Sequence, residues 1–434
     1  MQKKETITGL IHHPYTPPEG FQAPQPGVFK ASTVIFPNVA AMRSREWKDK
    51  TGYTYGLHGT PTTYMLEERL ATLEGGLQCL LAPSGLAAIA NVALAVLKSG
   101  DEVLIPDNAY GPNKALAEAE LMAWGITHRF YDAMNPHDLQ AKISAATRLV
   151  WVEAAGSVTM EFPDLCELVR ICRAKNVLCA LDNTWGAGIA FKPFDLTPGQ
   201  GAALGVDISV HALTKYPSGG GDVLMGSVVT RDVGLHLKIK LTHMRLGLGV
   251  AGNDVELVLR ALPSIVLRYR AHDVAARQLA AWCQSRSEFA QVLHPALAGS
   301  PGHAHWQALC NAGGANGAGI TASAGDVGNA GNPGIAGTVG VSGHAAGLFS
   351  VIFRADVPQA QVDVFCDALK LFKLGFSWGG PMSLVVPYQL ASMRPAWPAH
   401  LARGTLVRFS TGLEAVPDLQ ADLAQALDAM AASR

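Results

Sequence analysis

The chain has 434 residues, enough for two or three domains, and a formal net charge of -1 with a pI near 6.9 provides no basic field for nucleic acid or anionic lipid. Only 16% of the residues are charged and the mean hydropathy is +0.17, which indicates a large interior. The seven cysteines include no CxxC pair, and we interpret them as reduced core thiols. We find no secretory signal and no membrane-length apolar run, so a soluble, cytoplasmic protein is expected.

The composition changes along the chain and suggests three parts. Residues 1–27 carry five prolines, which favours an extended arm. We expect an N-terminal arm and segment over 1–63, an α/β domain over 64–260 and a smaller α+β domain over 261–434. Within the last part, residues 311–347 hold 12 of the 45 glycines and no Lys, Arg or Glu, so a flexible surface insertion is predicted there. A substrate lid is the functional alternative for this insertion.

From residue 64 onward, short apolar runs alternate with helical segments such as TYMLEERLATLEGG and PDLCELVRICRAKN. Continuous apolar strands that alternate with helices are typical of a mostly parallel sheet covered on both faces. Further helices are predicted at LRYRAHDVAARQLAAWCQSR and over 417–432. The strand candidates in this part of the chain are CLLA, EVLIP (102–106), RLVWVEA (148–154), NVLCALDNT (176–184), VDISVHA (206–212) and DVLMGSVVT (222–230).

Lys215 has an unusual setting. It lies between two apolar, strand-like runs in SVHALTKYPSGGGDVLMGSVV, and no other lysine or arginine occurs over 206–230. Ligands of open α/β sheets bind outside the carboxyl ends of the strands. Lys215 follows one such end with Thr214 beside it, and Asp182 ends the strand VLCALD. Taken alone, Lys215 could be an ordinary loop lysine and Asp182 could cap a turn.

A third feature at the same edge is the turn PSG, which joins a strand to a helix at Ser84. The amides of Gly85 and Leu86 begin that helix and are expected to point at an anion. A turn of this kind is a weak phosphate signal by itself. The combination is much less expected by accident than any one feature alone: it comprises an anion-binding turn, an acid at a strand end and a lysine at the next strand end.

Pyridoxal phosphate is a cofactor that uses all three features, because it needs an amine for a Schiff base, a carboxylate at its pyridine nitrogen and a phosphate cradle. Lys215 would supply the amine, made nucleophilic by partial desolvation, and Asp182 would keep the ring nitrogen protonated. Tyr110, after the strand EVLIP, is placed to stack on the ring. The predicted phosphate ligands are Ser84, Gly85, Leu86 and Thr214.

Several long motifs, in one order, resemble the Cys/Met-metabolism family of fold-type I pyridoxal-phosphate enzymes. The resemblance runs from about Lys30 to Ala424, apart from the Gly/Ala-rich insertion. It implies a mostly parallel seven-stranded sheet sandwiched by helices, with the cofactor bound in 64–260, and a smaller C-terminal α+β domain. The motifs are YGLHGTPTTYMLEERLATLEGG, PSGLAAIANV, AYGP, GSVTMEFPDL, DNTWGAG, HALTKYPSGGGDVLMG, FSWGG and GTLVRFSTGLE.

The resemblance also implies roles for residues outside the sheet edge. Tyr55 would reach the cofactor phosphate and the substrate of a neighbouring subunit, within a homotetramer built as a dimer of dimers with shared sites. Arg408, in LVRFSTG, would clamp the substrate α-carboxylate, since its planar fork matches a carboxylate. Ser377 and Trp378 would line the same pocket.

The reaction implied by the resemblance is carbon–sulfur bond cleavage in an amino-acid thioether such as L-cystathionine. Lys215 would remove the Cα proton and Tyr110 would assist. Elimination at Cβ is expected because Trp185 and Trp378 resemble the β-acting members, and because Pro381-Met382 stands where γ-acting relatives often carry an acidic residue. Elimination or replacement at Cγ remains the alternative.

Two positions depart from the family pattern. Leu57 stands where relatives commonly carry an arginine that binds the neighbour's phosphate, and Ala212 stands where many carry a phosphate-binding serine. His58 could substitute for the arginine only if the local backbone path differs, because adjacent side chains of an extended chain point to opposite sides. We therefore expect a phosphate site that depends on backbone amides, Thr214 and Tyr55, with weaker cofactor retention.

Other functions fit the sequence less well. A nucleotide-binding protein would need a GxGxxG turn or a P-loop after a strand, and neither opens a helix here. A non-catalytic pyridoxal-phosphate sensor would lack the clamp that Arg408 and Trp378 provide. No metal site is expected, because the histidines at 12–13 and 303–305, the latter in a presumed loop, have no ligand-spaced carboxylate or cysteine.

Overall fold

The computed structural model describes residues 19–20, 23–312, 343–394 and 396–433. Its helices are α1 Val39–Arg43, α2 Pro61–Glu74, α3 Gly85–Val96, α4 Gly111–Leu116, α5 Pro136–Lys142, α6 Leu165–Ala174, α7 Val233–Leu246, α8 Gly252–Ala261, α9 Ile265–Gln284, α10 His303–Ala312, α11 Gln359–Ala368, α12 Leu390–Met393 and α13 Val416–Ala432. Its strands are β1 Gln78–Ala82, β2 Glu102–Pro106, β3 Thr127–Tyr131, β4 Thr147–Glu153, β5 Leu178–Asp182, β6 Ile208–Ala212, β7 Gly226–Thr230, β8 Phe289–Leu293, β9 Leu348–Phe353, β10 Lys373–Leu374, β11 Leu384–Tyr388 and β12 Leu406–Ser410.

A seven-stranded sheet has the order β1-β7-β6-β5-β4-β2-β3. Its strands are parallel except β7, which runs antiparallel to both β6 and β1. Neighbouring residues of β4 enter different cores: Val150 and Val152 face one, while Leu149 and Trp151 face the other. This two-sided burial explains why the strands are continuous apolar runs, and it confirms the predicted fold class.

The smaller C-terminal part contains a five-stranded sheet of order β10-β11-β12-β9-β8, antiparallel except for β10 beside β11. The 20-residue helix α9 connects the cores of the two parts. Ile265 and Tyr269 pack with the large sheet, whereas Ala276 and Leu279 pack with the small one. Because the helix is rigid, it holds the two sheets in a fixed relation.

The structure corrects several predicted elements. The strand expected over 222–230 begins only at Gly226, because Met225 instead exchanges hydrogen bonds with Thr214 beside Lys215. The edge strand β3 was not predicted, since its sequence THRFY leaves alternate residues exposed. His303, expected in a loop, begins helix α10 directly after Gly302, which has a φ of 81°.

The predicted insertion over 311–347 is too long at both ends. Residues 311–312 complete α10, and Ala345 and Ala346 are fully buried beyond the other end. Residues 313–342 lie outside the described part of the chain, as do the prolines of the arm before residue 19. Among the described residues, no helix combines the length and apolar composition that a membrane crossing requires, and no trio of His, Cys, Asp or Glu could hold a metal ion.

Candidate active site

A cavity of about 630 Å³ lies between the carboxyl edge of the large sheet and the C-terminal part. Tyr55 does not line it and is 46% exposed. Trp185, one of the subgroup markers, lines the cavity wall, whereas Pro381 and Met382 do not. The predicted site residues that the fold brings together around this cavity are Ser84, Gly85, Leu86, Tyr110, Asp182, Thr214, Lys215, Ser377, Trp378 and Arg408.

Lys215 projects into the cavity from the loop that follows β6. Its Nζ donates a hydrogen bond of 2.9 Å to Ser377 Oγ and lies 5.5 Å from the centroid of the Trp378 ring. The pKa of Lys215 is lowered to about 8, because burial and the Arg408 charge together lower it more than the Asp182 carboxylate raises it. A partly desolvated lysine with this pKa is a competent nucleophile and base at neutral pH.

Asp182 ends β5 at the same edge. Its Oδ1 accepts hydrogen bonds from the Thr184 amide at 3.1 Å and the Thr184 hydroxyl at 2.6 Å. Burial raises the pKa of Asp182, while the Thr184 hydrogen bonds and the Lys215 charge act in the opposite direction. The lysine and the carboxylate therefore lie close enough to influence one another, as two groups that flank one pyridine ring must.

Glu153 is a cavity residue that the sequence analysis missed. It ends β4 in register with Asp182 on β5, and its Oε2 accepts a hydrogen bond of 2.8 Å from the Tyr110 amide. Burial raises the pKa of Glu153 well above its ordinary value, and the Asp182 charge adds to the shift. A sequence signal existed, because Glu153 is the acid near the end of the run RLVWVEA, as Asp182 is the acid at the end of VLCALD.

Arg408 lies on β12 and is only 7% exposed. Its guanidinium is 5.4 Å from the Tyr388 ring, and its Nη2 donates to the Ser377 carbonyl at 3.4 Å. In the described ranges it forms no salt bridge, and its Nε has no hydrogen-bond partner. A buried guanidinium without a counter-charge is costly, so this position favours an anionic ligand.

The N-terminus of α3 forms the other side of the cavity. Ser84 Oγ caps the helix by accepting from the Ala87 amide at 3.0 Å, a role that leaves its O–H able to donate to an anion. The Gly85 and Leu86 amides belong to the first turn, which has no intrahelical partners. The backbone approaches closely here: a Cβ on Gly85 would lie 2.7 Å from the Ala212 Cβ. Glycine at this position thus allows the start of α3 to pack directly against β6.

His58 does not replace the missing arginine at position 57. Residues Gly56–His58 form a 3-10 turn in which His58 stacks on Trp47, with centroids 4.6 Å apart, and pairs with the Thr54 hydroxyl at 2.8 Å. Burial lowers the pKa of His58, which disfavours the imidazolium. Leu57 lines a small cavity with Met244. His58 is therefore engaged within its own chain, whereas Leu57 only borders this cavity.

These groups suit pyridoxal phosphate. The Lys215 amine and the Asp182 carboxylate share one cavity, free helix amides are available for a phosphate, and the unpaired Arg408 is available for a carboxylate. Thr214 is a weaker fit than expected, since its hydroxyl bonds the Met225 amide at 3.2 Å and carbonyl at 3.4 Å. The fold and cavity together define a fold-type I pyridoxal-phosphate enzyme.

Comparison with known proteins gives the family. Residues 7–317 and 339–428 match the model of the Cys/Met metabolism PLP-dependent enzymes, and the chain belongs to this family. It is therefore an enzyme that depends on pyridoxal phosphate. The unmatched residues between the two ranges fall within the Gly/Ala-rich insertion.

Three similar proteins illustrate the range of the family. A cystathionine beta-lyase of Bordetella avium is 36% identical over 437 residues, covering 97% of each chain. An L-methionine gamma-lyase of Pseudomonas putida is 29% identical, covering 98% of this chain and 97% of that protein. The solved structure of a cystathionine gamma synthase from Xanthomonas oryzae pv. oryzae in complex with cystathionine has a TM-score of 0.76 at 27% identity, with 94% of each chain covered.

Proposed function

We propose that this protein is a cystathionine β-lyase, a carbon–sulfur lyase that converts L-cystathionine into homocysteine, pyruvate and ammonia in methionine biosynthesis. The observation that carries the proposal is the buried Arg408 guanidinium, which has no salt bridge within the described residues and lies in the same cavity as Lys215. These two groups are suited to the α-carboxylate and the Cα proton of an amino acid. The similarity to the Bordetella avium enzyme supports β- over γ-elimination.

The residues divide the chemistry among them. Pyridoxal phosphate, when bound, supplies a ring that draws negative charge from the substrate Cα. Asp182 holds the proton on the ring nitrogen, and Gly85 and Leu86 bind the phosphate through their amides. Arg408 fixes the α-carboxylate, which orients the Cα–H bond toward Lys215. Lys215 removes the Cα proton at its Nζ and delivers a proton to the departing sulfur.

Tyr110 acts beside Lys215 as a neutral phenol. Burial raises the pKa of Tyr110, and the Asp182 charge raises it further. The surrounding protein groups therefore disfavour the phenolate, and we assign Tyr110 to stacking on the cofactor ring, while Lys215 protonates the departing sulfur. The hydrogen bond from the Tyr110 amide to Glu153 keeps the phenol ring of Tyr110 over the cavity.

We also propose that a second copy of the chain completes the site. Tyr55 is exposed and lies outside the cavity of its own chain, so it is available to a neighbour's cofactor. In this arrangement residues 1–63 serve the neighbouring subunit and two such dimers form a tetramer. Mixed dimers of Lys215→Ala and Tyr55→Ala chains test this: each variant alone is inactive, and mixing restores about a quarter of the activity at random pairing. Absence of any rescue would contradict shared sites.

The decisive experiment is product analysis. The purified protein is incubated with L-cystathionine, and pyruvate is separated from 2-oxobutyrate by chromatography. Pyruvate as the main keto acid supports β-elimination, whereas 2-oxobutyrate as the main product would end the β assignment. Lys215→Ala is the control and is expected to form neither product.

The second candidate is a γ-acting enzyme of the same family. It is favoured by the similarity to the Pseudomonas putida L-methionine gamma-lyase and to the cystathionine gamma synthase structure. Release of methanethiol from L-methionine, measured beside the cystathionine assay, separates this activity from the proposed one.

A further inference from the structure

A buried polar network fastens the C-terminal part to the Tyr110 loop. Its centre is Arg394, which is 7% exposed. Arg394 lies in a segment that we call the strap, residues 388–394 and 396–403, which begins at the last residue of β11 and leads toward β12. Its Nη1 donates to Glu161 Oε2 at 2.7 Å, while Nη2 and Nε donate to Asp107 Oδ2 at 2.6 and 3.2 Å. One guanidinium thus joins two carboxylates of the large part.

Both carboxylates are tied to the loop that carries Tyr110. Asp107 directly follows β2, three positions before Tyr110. Glu161 accepts hydrogen bonds from Asn108 Nδ2 at 3.0 Å and from the Thr159 hydroxyl at 2.7 Å. A second strap residue, His400, pairs with Glu161 through its Nε2. The network therefore holds the loop and the strap together from the side away from the cavity.

A second connection lies nearer the cavity. Lys114 Nζ donates to the Asp107 carbonyl at 3.0 Å and also to the carbonyl of Met393 in the strap. Met393 and Tyr388, both strap residues, line the cavity. The Tyr388 ring in turn faces the Arg408 guanidinium at 5.4 Å. The position of the strap thus sets both the cavity wall and the surroundings of Arg408.

We propose that Arg394 is a positioning residue for substrate, which fixes the Tyr110 loop and the strap against each other through Asp107 and Glu161. The inference rests on the proposed function of the cavity as an amino-acid site. Only a planar, multidentate cation spans two carboxylates in this way; a lysine would reach one of them. Removing the guanidinium leaves the buried Glu161 and the part-buried Asp107 without its charge, so the loop and the strap are held only by the weaker contacts of His400 and Lys114.

The test compares Arg394→Met and Arg394→Lys with wild-type protein, all loaded with pyridoxal phosphate. The matched control is Arg403→Met in the same strap, because Arg403 is exposed and lies over the Trp397 ring at 4.8 Å. Each protein is titrated with glycine, which offers an amine and a carboxylate but no leaving group, and binding is followed by the cofactor absorbance. Amide hydrogen exchange is measured over 107–116 and over the strap.

Arg394→Met is expected to weaken glycine binding by about 10- to 100-fold and to speed amide hydrogen exchange over 107–116 and over the strap. Arg394→Lys should give intermediate values of both quantities, and Arg403→Met should match wild type. Cofactor retention should fall less than glycine affinity, since Lys215, Asp182 and the amides of Gly85 and Leu86 lie outside the network. Unchanged glycine affinity, or faster exchange in the strap alone, would overturn the proposal.

Asp107→Asn gives a milder, independent break of the same network, in case Arg394→Met does not fold. It should weaken glycine binding and speed exchange over 107–116, and wild-type behaviour would contradict the coupling. The outcome is separable from the function proposed above. If the wild-type protein forms no pyruvate from cystathionine, the lyase assignment fails, whereas glycine binding and hydrogen exchange still decide the role of Arg394.

Discussion

The Lys215 ammonium is 2.9 Å from Ser377 Oγ, across 162 residues of chain. Ser377 has a φ of 104°, which a non-glycine residue adopts only under strain from its surroundings. Its carbonyl accepts the Arg408 Nη2 at 3.4 Å. One strained residue therefore contacts both the lysine of the large part and the arginine of the small part. The two groups that we assign to the substrate are fixed relative to one another by the fold.

The lowered pKa of Lys215 predicts a pH-dependent stability. Its pKa is about 8 in the folded protein against 10.5 ordinarily, so between these values only the unfolded chain holds the proton. The free energy of unfolding therefore rises with pH in that window. Below pH 8 the buried charge destabilises the cofactor-free protein, and Lys215→Met should stabilise it by about 2 kcal/mol at pH 7.

Urea unfolding of the cofactor-free proteins at pH 7 and near pH 10.5 measures this difference, which should vanish at the higher pH. Lys98→Met, which replaces an exposed lysine after α3, is the control and should change stability by less than about 0.5 kcal/mol at either pH. A stabilisation by Lys215→Met that is equal at both pH values would show that packing, and not charge, is responsible.

Arg408 should control substrate affinity. Because its guanidinium is buried without a counter-charge, Arg408→Lys is expected to raise KM for cystathionine by about 100-fold, as a lost bidentate contact to a carboxylate would. Steady-state kinetics and a glycine titration measure the effect. Arg354→Met alters an exposed arginine paired with Asp356 and should leave both unchanged. A normal KM with a reduced kcat would instead place Arg408 in the chemical step.

Site residues that lie at the carboxyl end of a strand can be located from the sequence alone. Asp182 and Lys215 could be placed because each follows an apolar run, and the carboxyl ends of parallel strands share one edge. Glu153 satisfies the same rule and was predictable in principle. Arg408 and Ser377 needed the family resemblance, since nothing local in their strand and loop shows that they face the lysine.

Other features depend on tertiary contacts that no local pattern reveals. Arg394 meets Glu161 and Asp107 across 233 and 287 residues, respectively. Thr214 has the expected location, but its hydroxyl is engaged by Met225 because β7 starts late. The proposed boundaries of the domains at 63/64 and 260/261 stay predictions. Helix α9, which packs against both cores, begins just beyond the second of them.

Leu57 should limit cofactor retention. Leu57→Arg restores the cation that relatives commonly place near the neighbour's phosphate, and one charge-assisted contact is expected to tighten binding by about tenfold. Loss of pyridoxal phosphate during dialysis, followed by absorbance, measures the change. Leu57→Met keeps the apolar packing against Met244 and is the control. No tightening by Leu57→Arg would mean that the backbone amides already satisfy the phosphate.

Glu153 should act as a neutral acid that holds Tyr110. Glutamine has the shape of the protonated carboxyl and can accept the Tyr110 amide, so Glu153→Gln should keep activity within about threefold of wild type. Glu153→Leu leaves that amide unpaired and should lower kcat/KM by at least about tenfold. Activity measured at one pH distinguishes the two variants.

Stability against pH tests the protonation state of Glu153 independently. Its folded pKa lies above the ordinary 4.5, so above pH 4.5 the folded chain holds a proton that the unfolded chain has lost. The stabilising contribution of Glu153 to the free energy of unfolding is therefore complete below pH 4.5 and is lost as pH rises through the folded pKa. Glu153→Gln removes that decline, and its stability relative to wild type should grow between pH 5 and pH 8 in cofactor-free protein. A constant difference over this range would mean that Glu153 is ionised in the folded chain and that its hydrogen bond to Tyr110 is made by a carboxylate.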